Sequence, residues 1–93
     1  MINLEEIKDK WVVCSTPKHG YAYNSLLFWG KNDCGHKANL EDCQFYTESE
    51  AKARCHRDTP CVAIPVSELL PYVNTQVVGA FSVLNKWEDI KNA

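Results

Sequence analysis

The sequence predicts an α+β fold, in which a small, largely antiparallel sheet of about four strands carries one principal helix on a face. Short β-branched and aromatic runs recur along the chain, and turn residues separate them. One strong helix start lies among these runs, at residues 47–50. With 93 residues, 45% of them hydrophobic, the chain suits one core, so we expect a single domain over residues 1–93.

The first elements are a short helix and a strand. Asn3 precedes a Leu-Glu-Glu run in the form of a capping box, in which the Asn side chain accepts from the Glu6 amide. This pattern predicts a two-turn helix over residues 3–9. The β-branched and aromatic run 11–14 predicts a strand, which the turn residues of 15–20 end.

A β-hairpin is predicted next. Residues 21–30 alternate between two faces that both become apolar toward the end, which indicates a central strand or one covered on both sides. The loop 31–35 suits a type I turn, with Gly35 free to take the left-handed conformation. The returning strand is predicted at 36–40, or at 43–46 if the intervening residues bend.

The principal helix has the best start signal in the chain. Thr47 and Glu50 form a second capping box. It predicts a helix over 48–57, with Ala51 and Cys55 on the inner face.

The last third of the chain supplies shorter elements. Residues 61–66 predict a strand at a sheet edge, because Pro65 has no amide hydrogen to donate to a neighbour. A helical turn capped by Ser67 follows. The apolar run 77–84 could form a strand or a buried helix, and its valines and Gly79 favour the strand. Trp87 and Ile90 could anchor a terminal helix that frays.

Composition excludes several function classes. The net charge is −2 and neither sign forms a run, so the chain has no basic stripe for nucleic-acid phosphates. Residues 1–10 carry acids where a signal peptide needs a basic and then apolar start, and no stretch approaches the roughly 20 apolar residues of a membrane span. We therefore expect a soluble, cytoplasmic protein that binds neither nucleic acid directly nor membranes.

Five cysteines and three histidines are the ligand types that zinc prefers, but no cysteine pair has the usual C-x2-C spacing. The default prediction is therefore free thiols and no cofactor. The alternative is a zinc ion that stabilises a small core, bound by Cys34, His36, Cys55 and Cys61.

Signatures of catalysis are weak. The glycines are scattered rather than clustered in a phosphate-binding loop, and no flanking motif accompanies a Cys–His pair. Cys55 and His56 are adjacent and would point about 100° apart on a helix. The chain is predicted not to be an enzyme, with a thiol-dependent enzyme as the less favoured alternative.

Aromatic residues concentrate around the predicted hairpin, and Trp and Tyr are the side chains that most often anchor protein interfaces. We predict a protein partner, bound through Trp29 and Tyr23 or through the acidic residues Glu41, Asp42 and Glu48. A solvated face is the alternative interpretation of the acidic group. The predicted edge strand could also pair with its own copy, which leaves both a monomer and a homodimer open.

One segment, residues 28–51, combines an aromatic-Trp strand, a Gly turn, a Leu five residues on, and a Tyr-Thr-x-x-Glu-Ala helix start. The residues that carry this pattern are Phe28, Trp29, Gly35, Leu40, Tyr46, Thr47, Glu50 and Ala51. The pattern resembles that of small uncharacterised proteins encoded by bacteriophages and prophages, with departures at His36 and Cys43, where Tyr and Ala are usual. The resemblance implies a protein that binds and inhibits or modulates a host macromolecular complex, as anti-CRISPR and other anti-defence proteins do.

Overall fold

The computed structural model describes residues 3–15, 21–22, 25–33, 35–55, 61–74 and 77–92. The helices of these residues are α1 (Leu4–Ile7), α2 (Glu48–Arg54), α3 (Val66–Leu69), α4 (Ala80–Leu84) and α5 (Trp87–Lys91). The strands are β1 (Trp11–Ser15), β2 (Tyr21–Ala22), β3 (Ser25–Leu26), β4 (Phe28–Trp29), β5 (His36–Lys37), β6 (Cys61–Pro65), β7 (Val73–Asn74) and β8 (Val77–Val78). Short 3-10 turns lie at Lys31–Asp33, Leu40–Asp42 and Leu70–Tyr72.

The main sheet has four antiparallel strands in the order β5-β4-β1-β6. β1 and β6 pair along their whole lengths, from Trp11 opposite Pro65 to Ser15 opposite Cys61. β6 therefore lies at an edge of this sheet, as the proline predicted. Two smaller antiparallel pairs join β2 with β3 and β7 with β8. The predicted α+β class, with about four strands and a principal helix, is confirmed.

The hairpin is present, but the predicted continuous strand over 21–30 is wrong. β2 pairs with β3 instead of extending β4, so only β4 enters the main sheet, between β5 and β1. Gly35 adopts the predicted left-handed conformation at φ 73°, and its carbonyl accepts from the Gly30 amide at 2.8 Å. Both predicted returning segments are used in part, because β5 pairs with β4 while Cys43 bridges to Gly30.

The main core lies on one face of the sheet and α2 covers the other. Val12, Cys14 and Phe28 reach into the main core. Because side chains alternate along a strand, Val13 points to the opposite face, where α2 contacts β1 and β6. Val13 and Ala51 are fully buried there without belonging to the main core. The main core consists of Ile7, Val12, Cys14, Leu26, Phe28, Leu40, Cys43, Ile64, Val66, Leu69, Val78, Ala80, Val83 and Ile90.

The strand favoured for 77–84 is wrong beyond β8, and the alternative, a buried helix, describes the second part of the run, because α4 begins directly after Gly79. In α4 the buried residues Ala80 and Val83 are three positions apart, which places both on one helical stripe. Phe81 and Leu84 are exposed at 57% and 41%. An apolar run whose burial follows the helical period can cover the core with one stripe, and tertiary packing here overrides the β propensity of the valines. No helix within the described ranges is long and apolar enough to cross a membrane.

The helix starts agree with the sequence in part. Asn3 caps α1, although its side chain accepts from the Glu5 amide, at 3.0 Å, rather than from Glu6. Ser67 is not a cap, since α3 begins at Val66 and Pro65 occupies the N-cap position. A proline restricted to φ near −65° suits the chain entry into a helix, so α3 starts one residue earlier than predicted.

The capping box of α2 is formed as predicted. Thr47 Oγ1 accepts from the Glu50 amide at 3.3 Å, and Glu50 Oε1 accepts from the Thr47 amide at 2.9 Å. The hydrogen bond from the Thr47 backbone holds the pKa of the Glu50 carboxyl below its ordinary value. The hydrogen bond to the Thr47 amide is therefore strongest when Glu50 is ionised.

We expect Thr47→Ala to lower the free energy of unfolding by about 1 kcal/mol, because it removes the side-chain acceptor of the box.

Since the folded-state pKa of Glu50 is depressed, its contribution to stability is present above the unfolded-state pKa and is lost as the pH falls through the folded-state pKa. A Glu50→Gln variant should therefore lose stability near neutral pH, and the loss should shrink as the pH falls through the folded-state pKa of Glu50. Urea unfolding measures these losses, with the exposed Ser67→Ala as control, and equal losses for Thr47→Ala and Ser67→Ala would contradict the cap.

Candidate protein-interaction face

Two tryptophans on the α2 side of the sheet each lie under a cation from that helix. Trp11 belongs to β1, and the Lys52 Nζ atom lies 5.2 Å from the centroid of its ring. Trp29 belongs to β4, and the Arg54 Cζ atom lies 4.8 Å from its ring centroid. Both distances are within the range of cation–π attraction. The helical period explains the arrangement, because Ala51 faces the sheet and places Lys52 and Arg54 on the flanks.

His36 and Tyr46 extend this surface. His36 lies opposite Trp29 in the β4–β5 register, and the two ring centroids are 4.6 Å apart at an interplanar angle of 44°. Tyr46 is tied to Trp11 by two backbone hydrogen bonds of 2.8 Å each. Together these residues form a surface that we call the aromatic face: Trp11, Trp29, His36, Tyr46, Lys52 and Arg54.

An open groove of about 260 Å³ adjoins the aromatic face at Tyr46. Gln44 joins two sides of this groove. Its backbone amide donates to the Trp29 carbonyl at 3.0 Å, and its side-chain Oε1 accepts from the Asn32 backbone amide at 3.1 Å. Sites for small molecules usually enclose about 300–1,000 Å³. This groove is smaller and open, so it suits one side chain of a partner better than a small-molecule ligand. Its lining residues are Asn32, Gln44, Phe45, Tyr46 and Glu50.

The acidic residues predicted to bind a partner lie on two elements. Glu41 and Asp42 are exposed in a 3-10 turn, which Asn39 caps by accepting from the Glu41 amide at 2.8 Å. Glu48 is exposed on α2 and pairs with Lys52 at 2.6 Å. Glu48 therefore adjoins the aromatic face through Lys52. Tyr23, the other predicted anchor beside Trp29, lies outside the described residues.

The structure brings together two of the four predicted zinc ligands. The Sγ atoms of Cys55 and Cys61 are 3.2 Å apart, whereas His36 lies against Trp29. Cys34 falls outside the described residues. Across the parts of the chain that the structure describes, no group of three or more His, Cys, Asp or Glu side chains is arranged to hold a metal ion. The four-ligand zinc site stays a prediction.

Two further thiols are buried in the main core. Burial raises the pKa of the Cys14 thiol far above its ordinary value and that of Cys43 to about 12. Cys14 Sγ donates to the Ser15 carbonyl at 2.9 Å, and Cys43 Sγ donates to the Asn39 carbonyl at 3.3 Å. A protonated thiol is a poor nucleophile, so these two cysteines act as small apolar side chains.

Sequence reasoning selected Trp29 but missed most of its surroundings. The sequence predicts only a strand for Trp11, and for His36 a returning strand or a zinc site, with no contact to Trp29. Lys52 and Arg54 carried one usable signal, because they flank the inward-facing Ala51 on a helix predicted to cover an aromatic-rich sheet. Which ring each cation would meet depends on the packing angle of α2, which residue spacing does not encode.

The fold and the aromatic face are the basis for assigning a function to this chain. No protein-family model matches this sequence, and no curated protein or solved structure matches it at a significant level. The class that the structure defines is an α+β protein, with a four-stranded antiparallel sheet between a buried core and one helix.

Proposed function

We propose that this chain is a small phage-type binding protein, without catalytic activity, that modulates or inhibits a host macromolecular complex. Its partner is a protein, contacted through the aromatic face. The observation that carries the proposal is the state of Trp29, which is half-buried while His36 and Arg54 contact its ring. A large aromatic side chain held at the surface is the kind of residue that dominates binding energy in protein interfaces.

The geometry of the aromatic face lowers the cost of binding. Association orders flexible side chains, at about 0.5–1.5 kcal/mol for each one immobilised. The rings of Trp11 and Trp29 are already held by the strands beneath and the cations beside them, so little further ordering is needed. The adjoining groove offers a place for one side chain of the partner.

The charges favour a protein over a nucleic acid as partner. Lys52 is paired with Glu48, and Lys52 and Arg54 both lie over rings, so these cations do not form a basic stripe. The net charge of −2 adds no attraction for phosphates. A mixed aromatic and charged surface is typical of protein recognition.

The resemblance of residues 28–51 to phage proteins supports the biological class. This segment contains the β4–β5 hairpin and the first turn of α2, and so supplies Trp29, His36 and Tyr46 of the aromatic face. Trp11, Lys52 and Arg54 lie outside it. A phage protein with this surface would act in the host cytoplasm by stoichiometric binding. We propose a defence complex as its target, a CRISPR effector being one example.

Affinity capture from bacterial lysate at moderate salt tests the proposal. We expect the wild-type chain to retain one host complex in stoichiometric amount, and Trp29→Ala to weaken its binding at least about 30-fold, the loss typical of a central anchor. Phe81→Ala is the matched control, because Phe81 is an exposed aromatic on α4, outside the aromatic face. It should change the affinity less than about twofold.

Three outcomes would count against this assignment. Capture of no host complex would contradict binding to a host protein. Equal affinity for wild type and Trp29→Ala, with both folded by circular dichroism, would remove the aromatic face from the interface. If charge reversal at Glu41 and Asp42 then abolished binding, the interface would lie on the acidic turn instead.

A further inference from the structure

Cys55 and Cys61 form a thiol pair that the proposed binding function does not use. Cys55 follows the last residue of α2, and Cys61 is the first residue of β6. The Cys61 thiol donates to the Cys55 sulfur, and the two Sγ atoms are 3.2 Å apart. Both positions are set by regular structure, because Cys61 pairs with Ser15 across β1 and β6 and α2 packs on the same strands.

This pair differs from the other described thiols. Cys14 and Cys43 are fully buried, and each donates to a backbone carbonyl. Cys55 and Cys61 are half-buried and have each other as hydrogen-bond partners. Among the cysteines that the structure describes, they alone combine thiol–thiol contact with access for a small reagent.

We propose that Cys55 and Cys61 are a reversible dithiol–disulfide site, oxidised by low-molecular-weight disulfides of the glutathione type. A disulfide bond measures about 2.05 Å, so the two sulfur atoms need to approach by only about 1.2 Å. Rotation of the two side chains can supply a change of this size while the strand and the helix stay in place.

The oxidation proceeds by two successive thiol–disulfide exchange steps. The Cys61 thiol releases its proton to solvent, and the resulting thiolate attacks one sulfur of glutathione disulfide. The S–S bond of that molecule breaks, a mixed disulfide forms at Cys61, and the glutathione thiolate that leaves takes up a proton from solvent. Cys55, whose sulfur lies 3.2 Å from the Cys61 sulfur, is the partner that reacts second. The Cys55 sulfur then attacks the Cys61 sulfur, the S–S bond between Cys61 and glutathione breaks, and the departing glutathione sulfur takes the Cys55 proton. The protein dithiol is oxidised by two electrons, and one glutathione disulfide is reduced to two glutathione thiols.

The resulting bond joins the end of α2 to the start of β6 and closes a loop of seven residues. A cross-link of that loop length restricts the unfolded chain, and we expect oxidation to raise the melting temperature by about 10 °C. Oxidation would also fasten the helix that carries Arg54 to the sheet that carries Trp29. The proposal stands whether or not the aromatic face binds a partner.

Incubation of the folded full-length chain with glutathione disulfide, followed by alkylation and tryptic mapping, tests the site. Trypsin cleaves after Arg54, Arg57 and Lys86, so the expected product is peptide 55–57 linked through sulfur to peptide 58–86. Cys55→Ser and Cys61→Ser should each abolish the link, and Cys34→Ser should retain it. Dithiothreitol should restore both free thiols.

A comparison with the denatured chain shows whether the fold prepares the pair. With the same concentrations of reduced and oxidised glutathione in both solvents, the ratio of linked to reduced protein should be at least about tenfold higher in buffer than in concentrated guanidinium chloride. Equal ratios in the two solvents would overturn the proposal. So would glutathione adducts on Cys61 without an internal bond, or full alkylation of Cys55 and Cys61 after the oxidising incubation.

Discussion

Replacement of Phe28 by alanine is expected to lower the free energy of unfolding by about 3–5 kcal/mol. Among the residues that the structure describes, Phe28 is the largest fully buried side chain, at 0% exposure. Its strand, β4, is held on both sides by β5 and β1, so the backbone cannot easily move to fill the cavity. The free energy of unfolding of a domain is usually only about 5–15 kcal/mol, so the variant would lose a large part of its stability.

Urea unfolding followed by circular dichroism measures this loss. Phe81→Ala is the matched control, because it is the same substitution at a residue that is 57% exposed. It should cost less than about 1 kcal/mol. Similar losses at the two positions would contradict the placement of Phe28 in the core.

Ala51→Asp is expected to cost a comparable 3–5 kcal/mol, for an electrostatic reason rather than a cavity. Ala51 is fully buried on the inner face of α2, which packs on β1 and β6. A carboxylate at that position would lose its hydration without gaining a partner. The helix would have to move away from the sheet, and Lys52 and Arg54 would leave the tryptophan rings.

The matched control is Ala53→Asp, two residues further along the same helix. Ala53 is exposed, so this variant carries the same helix propensity and charge without burial. We expect it to change the free energy of unfolding by less than about 1 kcal/mol. Tryptophan fluorescence gives a second readout, since only Ala51→Asp should alter the surroundings of Trp11 and Trp29. Equal losses would mean that α2 does not rest on the sheet through Ala51.

Trp29 shows how far the candidate site could be foreseen. Residue type and position in an aromatic-rich hairpin are enough to select it as a candidate anchor, and in the structure it is half-buried, with its carbonyl bonded to Gln44 of the open groove. The cation beside it, Arg54, comes from another element, and so do the two partners of Trp11. These contacts depend on how α2 lies across the sheet, which local spacing does not determine.

Local signals determined the parts of this fold that involve only neighbours in the chain. The α2 capping box, the left-handed Gly35 and the start of α1 near Asn3 each depend on interactions within about four residues, where residue type restricts the backbone directly. Pro65 likewise marked its strand as an edge, because a missing amide hydrogen is a property of that residue alone.

Tertiary structure decided the elements whose conformation depends on distant partners. The run 77–84 is apolar enough for a strand or a helix, and the burial of Ala80 and Val83 made its second part helical. The run 21–30 divides because β2 pairs with β3 outside the main sheet, and β3 is bridged to the distant Gly79 through Ser25. The Cys55–Cys61 contact and the aromatic face arise in the same way. Burial and strand pairing join residues far apart in sequence, and their free energies exceed the propensity differences of less than about 1 kcal/mol that local patterns express.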